Sequence, residues 1–341
     1  GDELKALIAK YTPAPTDQTI DIASAYVQSE WKTEMWSILL GGRVDKNSMM
    51  QKAIFSPRAN LRYNPTENIN IRISYAEGFR APQAFDEDLH ISNIGGELLK
   101  IERDDNLKEE RSYSMNASID MYRMISSFQT NLLIEAFYTK LNNPFVLSAP
   151  FMDPNGSGYL IQTRSNGSGA KVYGITAEGR IAYKNKFQLQ AGVTLQRSRY
   201  DEPEEWSSDE EHLSEEERST KQILKSPDFY GFFTASWSPS KALSFSVNGN
   251  YTGRMYVSHL WSEVDGSADE IVKAPSFFEL GTKVAYDFDL DSGLCIQLNA
   301  GVQNIFNAYQ KDFDKGASRD SGYMYGPNSP RCFYAGLKVN F

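Results

Sequence analysis

The last eleven residues of the chain, Arg331 to Phe341, alternate strictly between apolar and polar side chains. A soluble protein rarely ends in an exposed apolar strand, because the free edge invites aggregation. The last strand of an outer-membrane β-barrel can do so, because it pairs with a neighbour and presents its apolar face to lipid. The pattern favours a transmembrane barrel, with an edge strand of a soluble sandwich as the alternative. One face would carry Phe333, Ala335, Leu337, Val339 and Phe341, and the other Tyr334, Gly336, Lys338 and Asn340.

The composition is compatible with a barrel and excludes two other classes. Only 40% of the 341 residues are hydrophobic and the mean hydropathy is -0.49. A helical membrane protein needs apolar runs of about 20 residues, and the sequence has none. A barrel needs an apolar residue only at alternate positions, and the 13% of aromatic residues would suit its two interfacial girdles. The net charge of -9 argues against binding to nucleic acid.

The alternation recurs along most of the chain, as where Ile69, Ile71 and Ile73 alternate with Asn70 and Arg72. Short turns and long loops follow one another in turn, as in outer-membrane barrels, whose long loops lie outside the cell. These signals predict about thirteen antiparallel strands. The short turns are 31–34, 64–67, 184–186, 238–241 and 289–293, and the long loops are 79–109, 142–169, 200–224, 257–272 and 307–330.

The odd strand count predicts an incomplete barrel, because closed single-chain bacterial barrels have an even number of strands. A first strand at about 18–30 would run inward from the cell surface. Residues 1–17 combine a short helical pattern with the Pro13-Ala-Pro15 break and are predicted to be the remnant of an external loop. Residues 18–341 would be the barrel portion. We expect a fragment, or a chain that needs a missing N-terminal half.

The two cysteines are predicted to remain free thiols. Cys295 opens one predicted strand and Cys332 opens the next. In antiparallel strands these two starts lie at opposite ends of the wall. At roughly 3.3 Å per residue they are far beyond the reach of a disulfide.

Several stretches of the sequence resemble the C-terminal part of the barrel of TonB-dependent outer-membrane receptors, particularly those of the Bacteroidetes group. No single stretch is specific, but their order and spacing together are. The resemblance runs from about residue 18 to Phe341. The matching stretches are Ala25–Trp31, Gly41–Asp45, Ser56–Arg58, Ser74–Pro82, Leu107–Glu110, Gly301–Asn307, Tyr309–Gly316 and Tyr325–Arg331.

The resemblance implies an all-β fold, a 22-stranded barrel around a plug, of which this chain would hold the tenth to twenty-second strands. The plug and the TonB-contacting segment would be absent, which puts independent transport in doubt. The implied partners are TonB, a plug domain, outer-membrane lipid and a small nutrient. The barrel-insertion machinery would read the terminal strand, with Phe333, Leu337, Val339 and Phe341 as its signal.

The resemblance also implies a location in the outer membrane of a Gram-negative bacterium and the uptake of a scarce nutrient. The compactness of the chain favours a ferric siderophore, haem or a corrinoid over an oligosaccharide. The alternatives are a passive porin-like or structural barrel and an inactive fragment of a split receptor gene. No cofactor and no enzymatic activity are expected, because no catalytic combination of residues stands out.

Two features are candidates for binding. Arg80 ends a strand at the rim, where it could bind a carboxylate or phosphate bidentately; a purely structural strand end is the alternative. The acidic loop that contains Asp209, Glu210 and Glu211 could bind a cation such as Ca²⁺. It lacks the spacing of an EF-hand, and a solvated charge run is the alternative. His90, His212 and His259 are too scattered for a transition-metal site and are predicted to be ordinary loop residues.

Overall fold

The computed structural model describes residues 19–82, 99–148, 151–152, 160–261, 266–290, 293–316, 319–320 and 322–340. The predicted N-terminal segment 1–17 and Phe341 lie outside these residues. The described part of the chain has no helix whose length and hydropathy would let it span a bilayer.

The fold is all-β, and thirteen strands form one antiparallel meander in the order β1-β2-β3-β4-β6-β7-β11-β12-β14-β15-β18-β19-β20. The predicted count of about thirteen is confirmed. The strands are β1 (Ile22–Lys32), β2 (Trp36–Asn47), β3 (Ile54–Thr66), β4 (Ile69–Arg80), β5 (Leu99–Arg103), β6 (Glu110–Ile125), β7 (Phe128–Asn142), β8 (Phe145–Leu147), β9 (Phe151–Met152), β10 (Leu160–Asn166), β11 (Ala170–Tyr183), β12 (Phe187–Glu205), β13 (Ser219–Gln222), β14 (Phe229–Trp237), β15 (Leu243–Thr252), β16 (Tyr256–His259), β17 (Glu270–Lys273), β18 (Phe277–Asp289), β19 (Cys295–Gln303) and β20 (Cys332–Asn340).

The two faces of the meander are inverted relative to those of a soluble protein. On the polar face, Thr194 is 6% exposed and Asp45 only 2%. On the apolar face, Leu195 is 60% exposed and Phe333 73%. A continuous apolar surface of this extent is unfavourable in water, but lipid removes the cost. The meander is therefore part of a transmembrane barrel wall, whose apolar face contacts lipid and whose polar face lines the lumen.

Aromatic pairs on the apolar face mark two levels along the strands. In β7 these levels are Phe128 and Tyr138, ten residues apart. That is roughly 33 Å along the strand, or about 25 Å along the membrane normal at a tilt of about 40°, the height of a barrel's apolar band. The short-turn level holds Trp36–Tyr63, Phe128–Tyr183, Trp237–Phe245 and Tyr286–Phe288, and the long-loop level holds Tyr138–Tyr173, Phe229–Tyr251 and Phe278–Phe306.

The sequence predicted long loops between the strands, but parts of these connections form short strands. Strand β5 pairs in parallel with β10, so the β4–β6 and β7–β11 connections share a small sheet with β8 and β9. Strand β13 pairs antiparallel with the last part of β12, and β16 pairs with β17. These strands escape sequence detection because they are short and pair with segments distant in the chain.

The last hairpin places the two cysteines as predicted. Cys295 lies opposite Asn340 and Cys332 lies opposite Gln303, so the thiols stand at opposite ends of the β19–β20 pair. The predicted terminal strand is β20, and its Phe333, Leu337 and Val339 are exposed on the apolar face. Their role as an assembly signal stays a prediction.

Candidate functional site

At the long-loop end, an arginine of the meander and an arginine of the small sheet lie near each other. Arg80 is the last residue of β4, and its Cζ lies 5.2 Å from the centroid of the Phe145 ring. Arg164, in β10, is almost fully buried. Burial lowers the pKa of Arg164, and the nearby positive charge of Arg80 lowers it further. Arg80 beside the Phe145 ring, within the electrostatic range of Arg164, forms a site suited to an anion that also carries rings.

An asparagine fixes the small sheet against this site. Asn166, at the end of β10, accepts a hydrogen bond from the Lys108 N–H at 2.8 Å. Its Nδ2 donates to the carbonyl oxygens of Lys108 and Asn143, at 3.0 Å each. One amide side chain thus ties both long connections together and holds the strand that carries Arg164. Sequence reasoning missed Asn166, because its partners are distant in the chain.

The acidic loop does not bring its three candidate metal ligands together. Asp209 is buried, whereas Glu210 and Glu211 are exposed. Glu210 lies 3.3 Å from Arg218 Nη2. Within the described residues there is no cluster of three or more His, Cys, Asp or Glu side chains arranged to hold a metal ion. A cation site at Asp209, Glu210 and Glu211 therefore gains no geometric support and stays a prediction.

Asp209 instead joins the acidic loop to the segment before β17. Its carboxylate accepts hydrogen bonds from the Asp269 N–H at 3.1 Å and from the His212 ring Nδ1 at 2.9 Å. Burial acts to raise the pKa of Asp209, but the hydrogen bonds from Asp269 and His212 outweigh it and lower that pKa. The hydrogen bond to Asp209 raises the pKa of His212. The pair stabilises loop structure between β12 and β17.

His259 is a central residue of the loop core and not the ordinary loop residue predicted from the sequence. Its ring stacks on Tyr323 at 3.6 Å between centroids and lies 3.9 Å from Trp261. Its Nε2 lies 2.9 Å from Asp314 Oδ2. Burial and the charge of Asp312 raise the pKa of Tyr323 to about 12, so this ring stays neutral. The hydrophobic cluster beside it contains Met255, Val257, Ala274 and Tyr323.

Two asparagines of the Gly301–Asn307 stretch clamp the last long loop. Asn304 and Asn307 have φ angles of 49° and 55°, a left-handed conformation that asparagine tolerates better than most residues. The Asn304 side chain donates to Ser329 O at 2.9 Å, and Asn307 Oδ1 accepts from the Arg331 N–H at 2.9 Å. The first turn of the loop thus holds its last residues, and β20 is positioned beside β19.

A shallow pocket of ≈ 400 Å³ lies on the polar face of the first strands. Arg62 of β3 and Arg72 of β4 stand directly opposite each other there. The Arg62 Nε is buried and has no hydrogen-bond partner within the described chain. Glu30 and Glu135 also line the pocket. It offers a donor-rich lumenal surface framed by carboxylates.

Comparison with known proteins agrees with this geometry. Residues 5–305 match the family described as TonB dependent receptor-like, beta-barrel. No curated protein sequence matches the chain significantly.

Solved structures share the fold at low sequence identity. The siderophore receptor PirA from Acinetobacter baumannii is 16% identical with a TM-score of 0.63, over 93% of this chain and 45% of that one. The ferric enterobactin receptor PfeA of Pseudomonas aeruginosa, a mutant in complex with enterobactin, is 15% identical with a TM-score of 0.65, over 94% and 45%. The FrpB iron transporter from Neisseria meningitidis is 15% identical with a TM-score of 0.62, over 93% and 45%.

This chain therefore spans less than half the length of these structural relatives. The family match covers most of the chain, including strands that carry both aromatic levels. The chain belongs to the β-barrel family of TonB-dependent receptors, which are transporters of the Gram-negative outer membrane and not enzymes.

Proposed function

We propose that this chain forms the ligand-receiving part of a receptor for TonB-dependent uptake of a ferric siderophore, with haem and corrinoids as the next candidates and oligosaccharides less favoured. Structural relatives named as siderophore receptors, as a ferric enterobactin receptor and as a ferric-catecholate import receptor support this choice. The structural relatives are about twice as long as this chain. The activity, the substrate and the partners are therefore proposed for the whole receptor.

The arginine pair at the rim is the observation that carries the proposal. A ferric tris-catecholate combines net negative charge with aromatic rings. Arg80 and Arg164 would supply positive charge, and the Phe145 ring would supply an aromatic surface. Guanidinium groups both pair with anions and stack on rings, which a lysine does less well. Arg80 ends β4 at the long-loop end, and Phe145 and Arg164 belong to the small sheet formed by the long connections. A ligand from outside the cell would arrive at this end first.

The lumenal pocket supports a second part of the proposal. A plug acted on by TonB would contact the polar face, where Arg62 and Arg72 stand opposite each other. The buried Arg62 Nε would donate to an oxygen of the plug. Leaving a buried donor unsatisfied costs about 1–3 kcal/mol, so such a contact would stabilise the assembled receptor.

The test is ligand binding by the whole receptor in detergent, and the quenching of tryptophan fluorescence measures the binding. We expect an iron-loaded catecholate siderophore to bind, and the Arg80→Gln variant to bind it roughly tenfold more weakly, because one charged hydrogen bond is lost. Arg123→Gln is the control, since Arg123 lies two residues before the short-turn end of β6, far from the long loops.

Haem, a corrinoid and an oligosaccharide form the parallel arms of the experiment. Tighter binding of any of these would replace the siderophore in the proposal. Equal affinity of wild type and Arg80→Gln for every ligand would contradict the proposed role of Arg80 in binding. Passive ion conductance with no ligand binding would favour a porin-like barrel.

A further inference from the structure

A row of cations crosses three neighbouring strands on the face that contacts lipid. Lys140 of β7 lies directly opposite Lys171 of β11, and Lys171 lies directly opposite Arg199 of β12. The row shares its face with Tyr138 and Tyr173, two residues away along β7 and β11. Like charges directly opposite each other destabilise a sheet unless a counter-charge is present. Three neighbouring cations therefore call for more than one anionic partner, and Asp201 supplies one of them.

The position of the row along the membrane normal indicates where a further partner lies. Tyr138 and Tyr173 belong to the aromatic level at the long-loop end. Lys140 and Lys171 lie two residues beyond this level, which is roughly 7 Å along the strand and about 5 Å along the normal at a 40° tilt. That is the headgroup layer of the outer leaflet.

The carboxylates nearby neutralise only part of this charge. Asp201 accepts a hydrogen bond from Lys140 and lies 3.8 Å from Lys171. Glu202 lies 3.2 Å from Lys221, whose Nζ also donates to the Asp201 carbonyl oxygen at 2.7 Å.

Two arginines in or beside this row have guanidinium donors or exposed surface with which they could bind an anion. Arg199 donates from Nη1 to Ser198 O at 2.7 Å, which leaves other guanidinium donors, and Arg197 is exposed on the same face. Lys140, Lys171, Arg197, Arg199 and Lys221 thus outnumber Asp201 and Glu202. This positive patch stands on a chain of net charge -9.

We propose that Lys171, Arg197 and Arg199 bind the phosphate of a phosphorylated lipid in the outer leaflet, with Lys140 and Asp201 positioning the row. The site lies on the apolar face at headgroup depth, so its occupant is a lipid and not a nutrient that enters the lumen. Arginine offers bidentate donors to phosphate, and each cation near a charged bilayer surface adds to the attraction. The inference is independent of which nutrient the receptor takes up.

The test is lipid binding by the full-length receptor in neutral detergent, measured by native mass spectrometry. The probes are phosphorylated lipid A, the same lipid after phosphatase treatment, and inorganic phosphate alone. We expect the phosphorylated lipid to be retained and the dephosphorylated lipid to be lost. The double variant Lys171→Thr with Arg199→Thr should bind the phosphorylated lipid roughly 10- to 30-fold more weakly, because two surface cations are removed. Threonine suits a strand.

Lys186→Thr is the matched control, because Lys186 is an exposed lysine in the turn at the opposite end of the same hairpin. It should bind like wild type. Equal retention of both lipids by wild type would overturn the proposal, whether or not the double variant folds. Unchanged binding by a folded double variant would do the same. Inorganic phosphate that competes as tightly as the lipid would overturn the assignment to lipid.

Discussion

Asp209 and His212 illustrate how a loop carboxylate becomes part of the structure of this protein. Both groups titrate with shifted pKa values because they bind each other, and Asp209 also accepts from the Asp269 backbone. A charge run on the sequence predicts a solvated surface. Only the folded chain shows that Asp209 turns inward while Glu210 and Glu211 stay exposed.

The pH dependence of this loop contact follows from the two shifts. The lowered pKa of Asp209 gives stability that is present above its ordinary value of 3.8 and lost as pH falls through the folded value. The raised pKa of His212 gives stability that is full below its ordinary value of 6.5 and lost as pH rises through the folded value. We expect amide hydrogen exchange at residues 207–213 and 267–271, corrected for intrinsic rate, to be slower at pH 6 than at pH 8.5.

Two variants check this expectation. His212→Gln should remove the difference between the two pH values, and Asp209→Asn should raise exchange at both. Protection that is the same at pH 6 and pH 8.5 in wild type would show that the contact does not depend on the charge of His212.

The candidate ligand-binding residues and the loop core show the limit of residue-level prediction. Arg80 could be selected from the sequence because it ends a strand two residues before Pro82. Arg164, which stands beside it, and His259, which stacks on Tyr323, could not. Their partners come from other loops, and alternation carries no information on contacts between loops.

At the level of the strand, period-two alternation decides which side chains face lipid. The pairing register agrees with the alternation on neighbouring strands, so that Ile134 lies opposite Ile119 and Ala177. Leu133, the next residue along the chain, lies opposite Asp120 and Glu178 on the polar face. A shift of register by one residue would exchange the two faces completely. The register is therefore strongly specified.

A matched pair of substitutions in β7 tests this assignment. Ile134→Lys places a charge near the middle of the apolar band and should destabilise the folded barrel by about 2–4 kcal/mol. Leu133→Lys places the same charge beside Asp120 and Glu178 and should cost much less. The measurement is urea unfolding of the full-length receptor in lipid bilayers. Similar losses of unfolding free energy for both variants would contradict the assignment of faces.

At the level of the whole molecule, all long connections lie at one end of the meander and all short turns at the other. The β19–β20 pair carries one cysteine at each end: Cys332 follows the long connection after β19, and Cys295 follows the short turn after β18. In an outer-membrane barrel the long loops lie outside the cell. The native cysteines therefore report orientation.

We expect a membrane-impermeant maleimide to label Cys332 on intact cells and to label Cys295 only after the outer membrane is permeabilised. The variants Cys295→Ser and Cys332→Ser, each with one remaining thiol, assign the labelled site by mass spectrometry. Labelling of Cys295 on intact cells, with Cys332 protected, would reverse the orientation.

The class of the protein, the number of strands in the wall and the face that each strand presents to lipid can all be predicted from the amino-acid sequence. These properties follow from local alternation and turn spacing, which each strand carries in its own residues. The pairing of β5 with β10, the nearness of Arg80 and Arg164, the stack around His259 and the row from Lys140 to Arg199 become visible only in the folded chain. Each of these depends on registers and contacts between segments far apart in the chain, and no local pattern encodes such contacts.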